Sequence, residues 1–273
     1  MFAYSQALLQ KLKHNYLKKL SALLFIITFY CNTKTVHGQN FIHVFVPLCD
    51  NKHQGIVPVP SKIGNGQDLK NNLYWGCGYG VKMFFKNKSN QWKFLKSVLN
   101  PNINVLERCI FKHNLTNTYL IADAYDGQFI KNCTENFLEA LCGKNKDSLA
   151  LDNKLIYFGG NAQLLCYTGH NGLMDYNCTS TYKSVDAKKR NCIILACYSK
   201  SYFSSHIQSI GAMPLVWSTH LMSPEAYTLE ASINAWLAKK TNIEIREEAA
   251  KAYSKYQKSC SLNSAKKLLV TGF

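Results

Sequence analysis

Two short apolar runs, residues 162–167 and 192–195, constrain this chain more than any other feature. Each is too short for a helix of its own and, apart from Gln163 near the start of the first, has the apolar character of a strand buried on both faces. Each also leads directly into a motif that carries chemistry. The first is followed by Gly169-His170-Asn171-Gly172, the second by Ala196-Cys197. Neighbouring parallel strands release their C-terminal loops on one edge of a sheet. A His and a Cys 27 residues apart in the chain can therefore reach a common cleft.

The rest of the sequence fits that frame. Residues 41–48, 118–124 and 214–217 read as further strands, and residues 49–66 as a long loop rich in Pro and Gly. Helical spacing predicts helices over 73–85, 129–141, 202–210 and 243–256, and a short one over 92–99 in the polar stretch 86–104. Ser223-Pro224-Glu225 reads as a helix start, with a cap, an N1 proline and an acid in the first turn. Strands alternating with helices predict an α/β fold, a mostly parallel sheet sandwiched by helices. This domain is expected over 39–240, with a helical extension over 241–273.

The N-terminus has the composition of an export signal. Lys11, Lys13, Lys18 and Lys19 precede an apolar stretch over 20–30, too short for a bilayer that needs about 20 residues. Val36-His37-Gly38 offers small residues for cleavage before Gln39, so residues 1–38 are expected to be removed and the product to be periplasmic or extracellular. Of the net charge of +16, the leader contributes five Lys and no acid. Arg occurs at only three positions (Arg108, Arg190 and Arg246), and the Lys are scattered. Phosphate and base readout lean on Arg forks, so nucleic acid is not expected as a partner. A Lys-rich surface fits association with anionic surfaces instead. Eleven Cys in an exported chain suggest disulfides, although Cys166 and Cys192 sit inside apolar runs where Cys serves as a small hydrophobe.

The His/Cys pair supplies a nucleophile and its base. Cys197 is the candidate nucleophile and His170 its general base or imidazolium partner. The amides of Gly172 and Cys197 are candidate donors to an oxyanion. In its apolar strand, His, apolar strand, Ala-Cys order, this pattern resembles the caspase-like superfamily of cysteine peptidases, which includes caspases, metacaspases, legumains, gingipains and clostripain. The run from Ile210 to Trp217 is similar to the Gly-Ala, strand, Trp ending of some bacterial members. The resemblance implies a parallel-rich sheet with the His after its third core strand and the Cys after its fourth. It also implies peptide or protein substrates. The chain departs from the usual His-Gly, since Asn171 separates His170 from Gly172.

In that superfamily the loop after the first strand helps shape the specificity pocket. Here it opens with Asp50, an acid that would favour Lys or Arg in the substrate, and Asp123 and Asp126 lie near the end of the second strand. Trp217, Ser218 and Thr219 are further pocket candidates. No Cys-x-x-Cys pair, EF-hand-like loop or Gly-rich phosphate loop occurs, so neither metal nor cofactor is expected. Two other readings stand beside the hydrolase: a non-catalytic relative acting in binding or assembly, and a disulfide-linked surface protein without a catalytic thiol.

Overall fold

The computed structural model describes residues 38–273, so the expected leader, save its last residue, lies outside the described residues. In chain order the strands are β1 (Asn40–Pro47), β2 (Trp92–Asn102), β3 (Val105–His113), β4 (Thr118–Tyr125), β5 (Lys146–Leu151), β6 (Lys154–Gly159), β7 (Leu164–Thr168), β8 (Asn191–Leu195), β9 (Met213–Ser218) and β10 (Leu269–Val270). The helices are α1 (Val81–Asn87), α2 (Ile130–Leu141), α3 (Ser199–Ile210), α4 (Ala226–Leu237), α5 (Asn242–Tyr256) and α6 (Leu262–Leu268).

Eight strands form one mixed sheet in the order β10-β9-β8-β7-β1-β4-β3-β2, and β5 and β6 pair as a separate hairpin. The centre, β9 to β4, is parallel; β2, β3 and β10 run antiparallel to their neighbours. Side-chain alternation sends Ile42, Val44, Cys166 and Leu195 to one face, which α1, α4 and α5 cover. Phe45, Tyr167 and Ile194 go to the other, under α2 and α3. There Phe137 and Phe203 pack on Tyr167 with ring centroids 5.6 and 5.7 Å away. Each such buried aromatic contributes on the order of 1.5–3 kcal/mol. The expected α/β sandwich is thus the observed architecture.

The sheet reverses its order beside β1. β4, the next parallel strand in the chain, lies on one side of β1, while β7, β8 and β9 follow on the other. The loops after β1 and β7 therefore diverge on the C-terminal edge and leave a crevice between them, the usual ligand position in open α/β sheets.

Three expectations need correction. Helix α1 begins only at Val81, and residues 73–80 form consecutive turns. A side chain at Gly76 would run into the carbonyls of Leu69 and Lys70, so the chain is folded back too tightly there for a helix. Residues 92–99 belong to the strand β2, because pairing with β3 overrides a weak local pattern. Helix α4 starts at Ala226, with Glu225 at the cap position and no side-chain cap. Pro224 stays outside, where its carbonyl accepts the Thr168 hydroxyl at 3.2 Å. The hairpin β5–β6, absent from the sequence reading, turns at Asp152 and Asn153, both at positive φ, the conformation of a two-residue type I′ turn. The expected C-terminal extension holds α5 and α6 and adds β10 to the sheet edge.

Candidate functional site

Register brings the two motifs together. Thr168 of β7 pairs with Leu195 of β8, and the ladder continues one step further as the Gly169 N–H donates to the Leu195 carbonyl at 3.1 Å. His170 and Cys197 each lie two residues beyond that last pair. The Asn171 amide Nδ2 then donates to the Cys197 carbonyl at 2.7 Å, stitching one motif to the other. Gly169 has φ 151°, and a Cβ there would approach Pro47 of the neighbouring strand at 2.9 Å. Only glycine lets the chain turn out of β7 this close to β1.

His170 is held from both ends. Its carbonyl accepts the Tyr167 hydroxyl at 2.8 Å, and its ring Nε2 meets both Asp175 oxygens at 2.9 and 3.0 Å. A carboxylate can only accept, so Nε2 carries a proton, and in the neutral imidazole the lone pair is on Nδ1. Asp175 is fixed in turn by the Gly55 N–H, 3.1 Å from Oδ1. The chain Gly55–Asp175–His170 therefore ties the loop after β1 to the loop after β7. The sequence reading missed Asp175, although it is the first carboxylate after His170.

Cys197 occupies a sharp elbow between β8 and α3. The next residue, Tyr198, sits in the left-handed region at φ 50° and ψ 28°. An aromatic residue in this conformation costs of order 1–3 kcal/mol and persists only where its surroundings fix it. The Tyr198 N–H donates to the His220 carbonyl at 3.0 Å. Below the elbow the Ser218 hydroxyl bonds the Ala196 carbonyl, and Ser199 Oγ bonds the Ile194 carbonyl at 2.9 Å. The half-buried thiol lies 3.4 Å from the Met222 N–H and 3.5 Å from its carbonyl. Burial raises its pKa, against the opposing pull of the Met222 and Cys197 backbone amides, so Cys197 rests as a neutral thiol. Any nucleophilic chemistry here needs a base.

Of the two expected oxyanion donors, the Cys197 amide lies against its own sulfur. The Gly172 amide is aimed elsewhere. It donates to the Tyr167 hydroxyl at 3.4 Å, because the 3-10 turn of Gly172–Met174 is capped by Asn171 and packs towards α2.

The pocket candidates separate. Asp50 borders a cleft of about 410 Å³ together with Lys52, His53, Gln67 and Gln128. Its carboxylate already caps a turn, taking the amides of Lys52 and His53 and, at 2.8 Å, the His53 ring. Asp126 likewise caps the 3-10 turn of Gly127–Phe129. Asp123 is buried on the sheet face, under a bidentate Arg108 fork. Trp217 and Ser218 are fully buried, Trp217 under the Phe273 ring, so neither borders an open pocket. Thr219 is half-buried and bonds the Leu268 carbonyl.

The ten described cysteines are all free, so the disulfides suggested by their number do not appear among the described residues. Burial drives the thiols of Cys133, Cys166 and Cys192 upward, which fits their place in the core. Among the described residues no three His, Cys, Asp or Glu side chains converge as a metal site. No described helix is long and apolar enough to cross a membrane.

The loop after β1 hangs on one side chain. Asn72 is fully buried, accepts from the Cys49 and Tyr74 amides and donates to the Cys49 and Asn65 carbonyls. Replacing it with Ala strands the backbone of Cys49 inside the protein at about 1–3 kcal/mol per unpaired group. Asn72→Ala is expected to lower stability by about 3 kcal/mol in urea unfolding and to expose residues 49–66 to limited proteolysis.

No family model, curated protein or solved structure matches this chain.

Proposed function

We propose that this chain is an exported cysteine-type amide hydrolase acting on peptide or protein substrates, with Cys197 as nucleophile and His170 as general base. The observation that carries the reading is the meeting of two motifs at the C-terminal edge of adjacent parallel strands. One is a strained thiol elbow; the other is an imidazole whose Nε2 is occupied by a carboxylate. Along the chain β7 is the third strand of the parallel group and β8 the fourth. That placement of His and Cys supports a caspase-like fold.

In this mechanism His170 Nδ1 accepts the thiol proton as Sγ attacks the amide carbon. In this reading the Cys197 N–H leaves its own sulfur for the charge that develops on oxygen. The C–N bond then breaks and the amine departs with the proton from His170, leaving a thioester. Water, deprotonated by the same imidazole, attacks the thioester; the acid is released and the thiol restored. Asp175 orients the imidazole and stabilises its protonated form.

Incubation with peptidyl electrophiles that carry Lys, Arg, Asp or Leu next to the warhead tests the reading. Stoichiometric labelling of Cys197, lost in His170→Ala at neutral pH, is expected. Equal labelling of several cysteines, or none, would overturn it. A preference for Lys or Arg warheads is assigned to Asp50 and is expected to fall about tenfold in Asp50→Asn, by loss of one charge-assisted contact. An unchanged preference removes Asp50 from specificity.

A further inference from the structure

A second polar cavity lies within the face of the sheet that α2 and α3 cover. It has a volume of about 220 Å³ and is lined by His43, Arg108, Asp123, Tyr125, Asn136 and Asp147, together with two further asparagines (Asn102 and Asn145), Ala140, Gly159 and the rings of Phe45 and Phe158. The surrounding residues Phe45, Tyr125, Phe137 and Phe158 belong to the apolar core of that face. Cys197 continues the opposite alternation, beyond Leu195. The cavity is thus separate from the candidate catalytic centre.

Its floor is a hydrogen-bonded row across three strands. Arg108 Nε and Nη2 donate to the two Asp123 oxygens at 2.7 Å each, and His43 Nε2 lies 3.1 Å from Asp123 Oδ2. His43 Nδ1 accepts the Gly159 N–H at 3.1 Å, so the ring is the neutral Nε2–H tautomer. The row therefore holds one cation and one anion. An apolar trio of like volume would be at least as stable in such a place, so packing alone does not account for these residues.

The row leaves specific valences open. Arg108 has five N–H donors, and Asp123 takes the side edge of its fork. The end edge, from Nη1 and the second proton of Nη2, has no acceptor among the described residues. The guanidinium is fixed there by stacking on Phe158, 4.1 Å from the ring centroid. The Tyr125 hydroxyl accepts from Asn136 at 3.2 Å, which leaves its own proton to donate. Asp147 has one oxygen on the Ser148 amide and the other open. The cavity thus offers a planar cationic fork and a phenol donor together with a separate carboxylate. Its volume is below the 300–1,000 Å³ typical of drug-sized sites.

We propose that this cavity binds a free amino acid, its carboxylate on the open edge of Arg108 and its ammonium on Asp147. A lone anion would satisfy the fork and leave Asp147 unmatched; a lone cation would leave the fork unmatched. A zwitterion of this size answers both. The inference does not depend on the hydrolase reading, since no residue is shared between the two sites.

The test is calorimetric titration of the full-length purified protein with a panel of L-amino acids. Their decarboxylated amines, their deaminated acids and inorganic phosphate serve as controls. At least one amino acid is expected to bind, with its matched amine and matched acid each weaker by about tenfold or more, the loss of one charge-assisted contact. Asp147→Asn, a substitution at an exposed position outside the buried row, is expected to weaken the amino acid by about tenfold and leave the deaminated acid unchanged. Phosphate or the simple acid binding as well as the amino acid would overturn the proposal. So would the absence of binding across the panel, or an Asp147→Asn protein that binds as the parent does.

Discussion

Cys197→Ala is expected to abolish amide hydrolysis, and His170→Ala to slow it by about 10²–10⁴, the usual contribution of a positioned general base. The size of the second effect follows from the state of the thiol. Burial holds Cys197 above the ordinary thiol range, so at neutral pH little thiolate exists and the imidazole must remove the proton during attack. The His170→Ala defect is therefore expected to be largest near pH 7 and to shrink as hydroxide takes over towards alkaline pH. A pH series of alkylation rates at Cys197 in both proteins reads this out. Parallel profiles, or equal rates at pH 7, would sink the dyad. Asp175→Asn belongs to the same series. It retains the contact to Gly55 through Oδ1, but its amide can present a donor to Nε2 and so favour the wrong tautomer. A loss smaller than that of His170→Ala is expected.

Arg108→Met should cost about 3–5 kcal/mol, the price of leaving a buried carboxylate without its partner. Burial pushes the Asp123 carboxyl up, but the Arg108 fork and His43 outweigh it and hold it below the usual range. Without Arg108 that balance is lost. The urea midpoint of the variant measures the effect, and a change under about 1 kcal/mol would show that the row contributes little. The same row gives a pH signature. Burial lowers the His43 pKa more than Asp123 raises it, so folded His43 protonates at a lower pH than it does unfolded. The unfolded chain then binds the extra proton first. This stabilisation is complete above the unfolded value of about 6.5 and declines as pH falls below it. Asp123, whose folded pKa is depressed, adds a further loss at more acidic pH, as the medium passes through the ordinary carboxylate range and on through its folded value. His113 and His206 are lowered by burial in the same sense. Replacing His43 with Gln, which can donate to Asp123 and accept from Gly159, is expected to flatten but not erase the decline in stability below about pH 6.5.

The parallel centre of the fold was legible because its strands are apolar on both faces. Phe41 to Pro47, Leu164 to Thr168 and Asn191 to Leu195 announce themselves without reference to any neighbour. So do the helices over 129–141 and 243–256, whose apolar spacing is regular. The antiparallel flank was not legible. In β2, Lys93, Lys96 and Ser97 interrupt any apolar pattern, and only pairing with β3 makes it a strand. The site divides along the same line. His170 and Cys197 end strongly patterned segments, and their positions follow from the topology of the sheet. Asp175 acts through a loop, where no periodicity marks it. Trp217 has the composition of a pocket residue but lies on the inward side of β9, a distinction that depends on register. Asp50 has the charge of a specificity acid, and its two oxygens also cap its own turn; local capping and recognition compete there, and residue type alone does not decide between them.

The order of the strands has one more consequence, at the two margins of the sheet. At one margin β2 carries irregular register between Phe94 and Lys96 and between Leu99 and Asn102, with Pro101 and two lysines along its length. At the other, β10 contributes only two residues. A flat, regular margin would recruit further chains by backbone pairing. Here distortion, charge and brevity shorten the continuous backbone that β2 and β10 offer to such a chain.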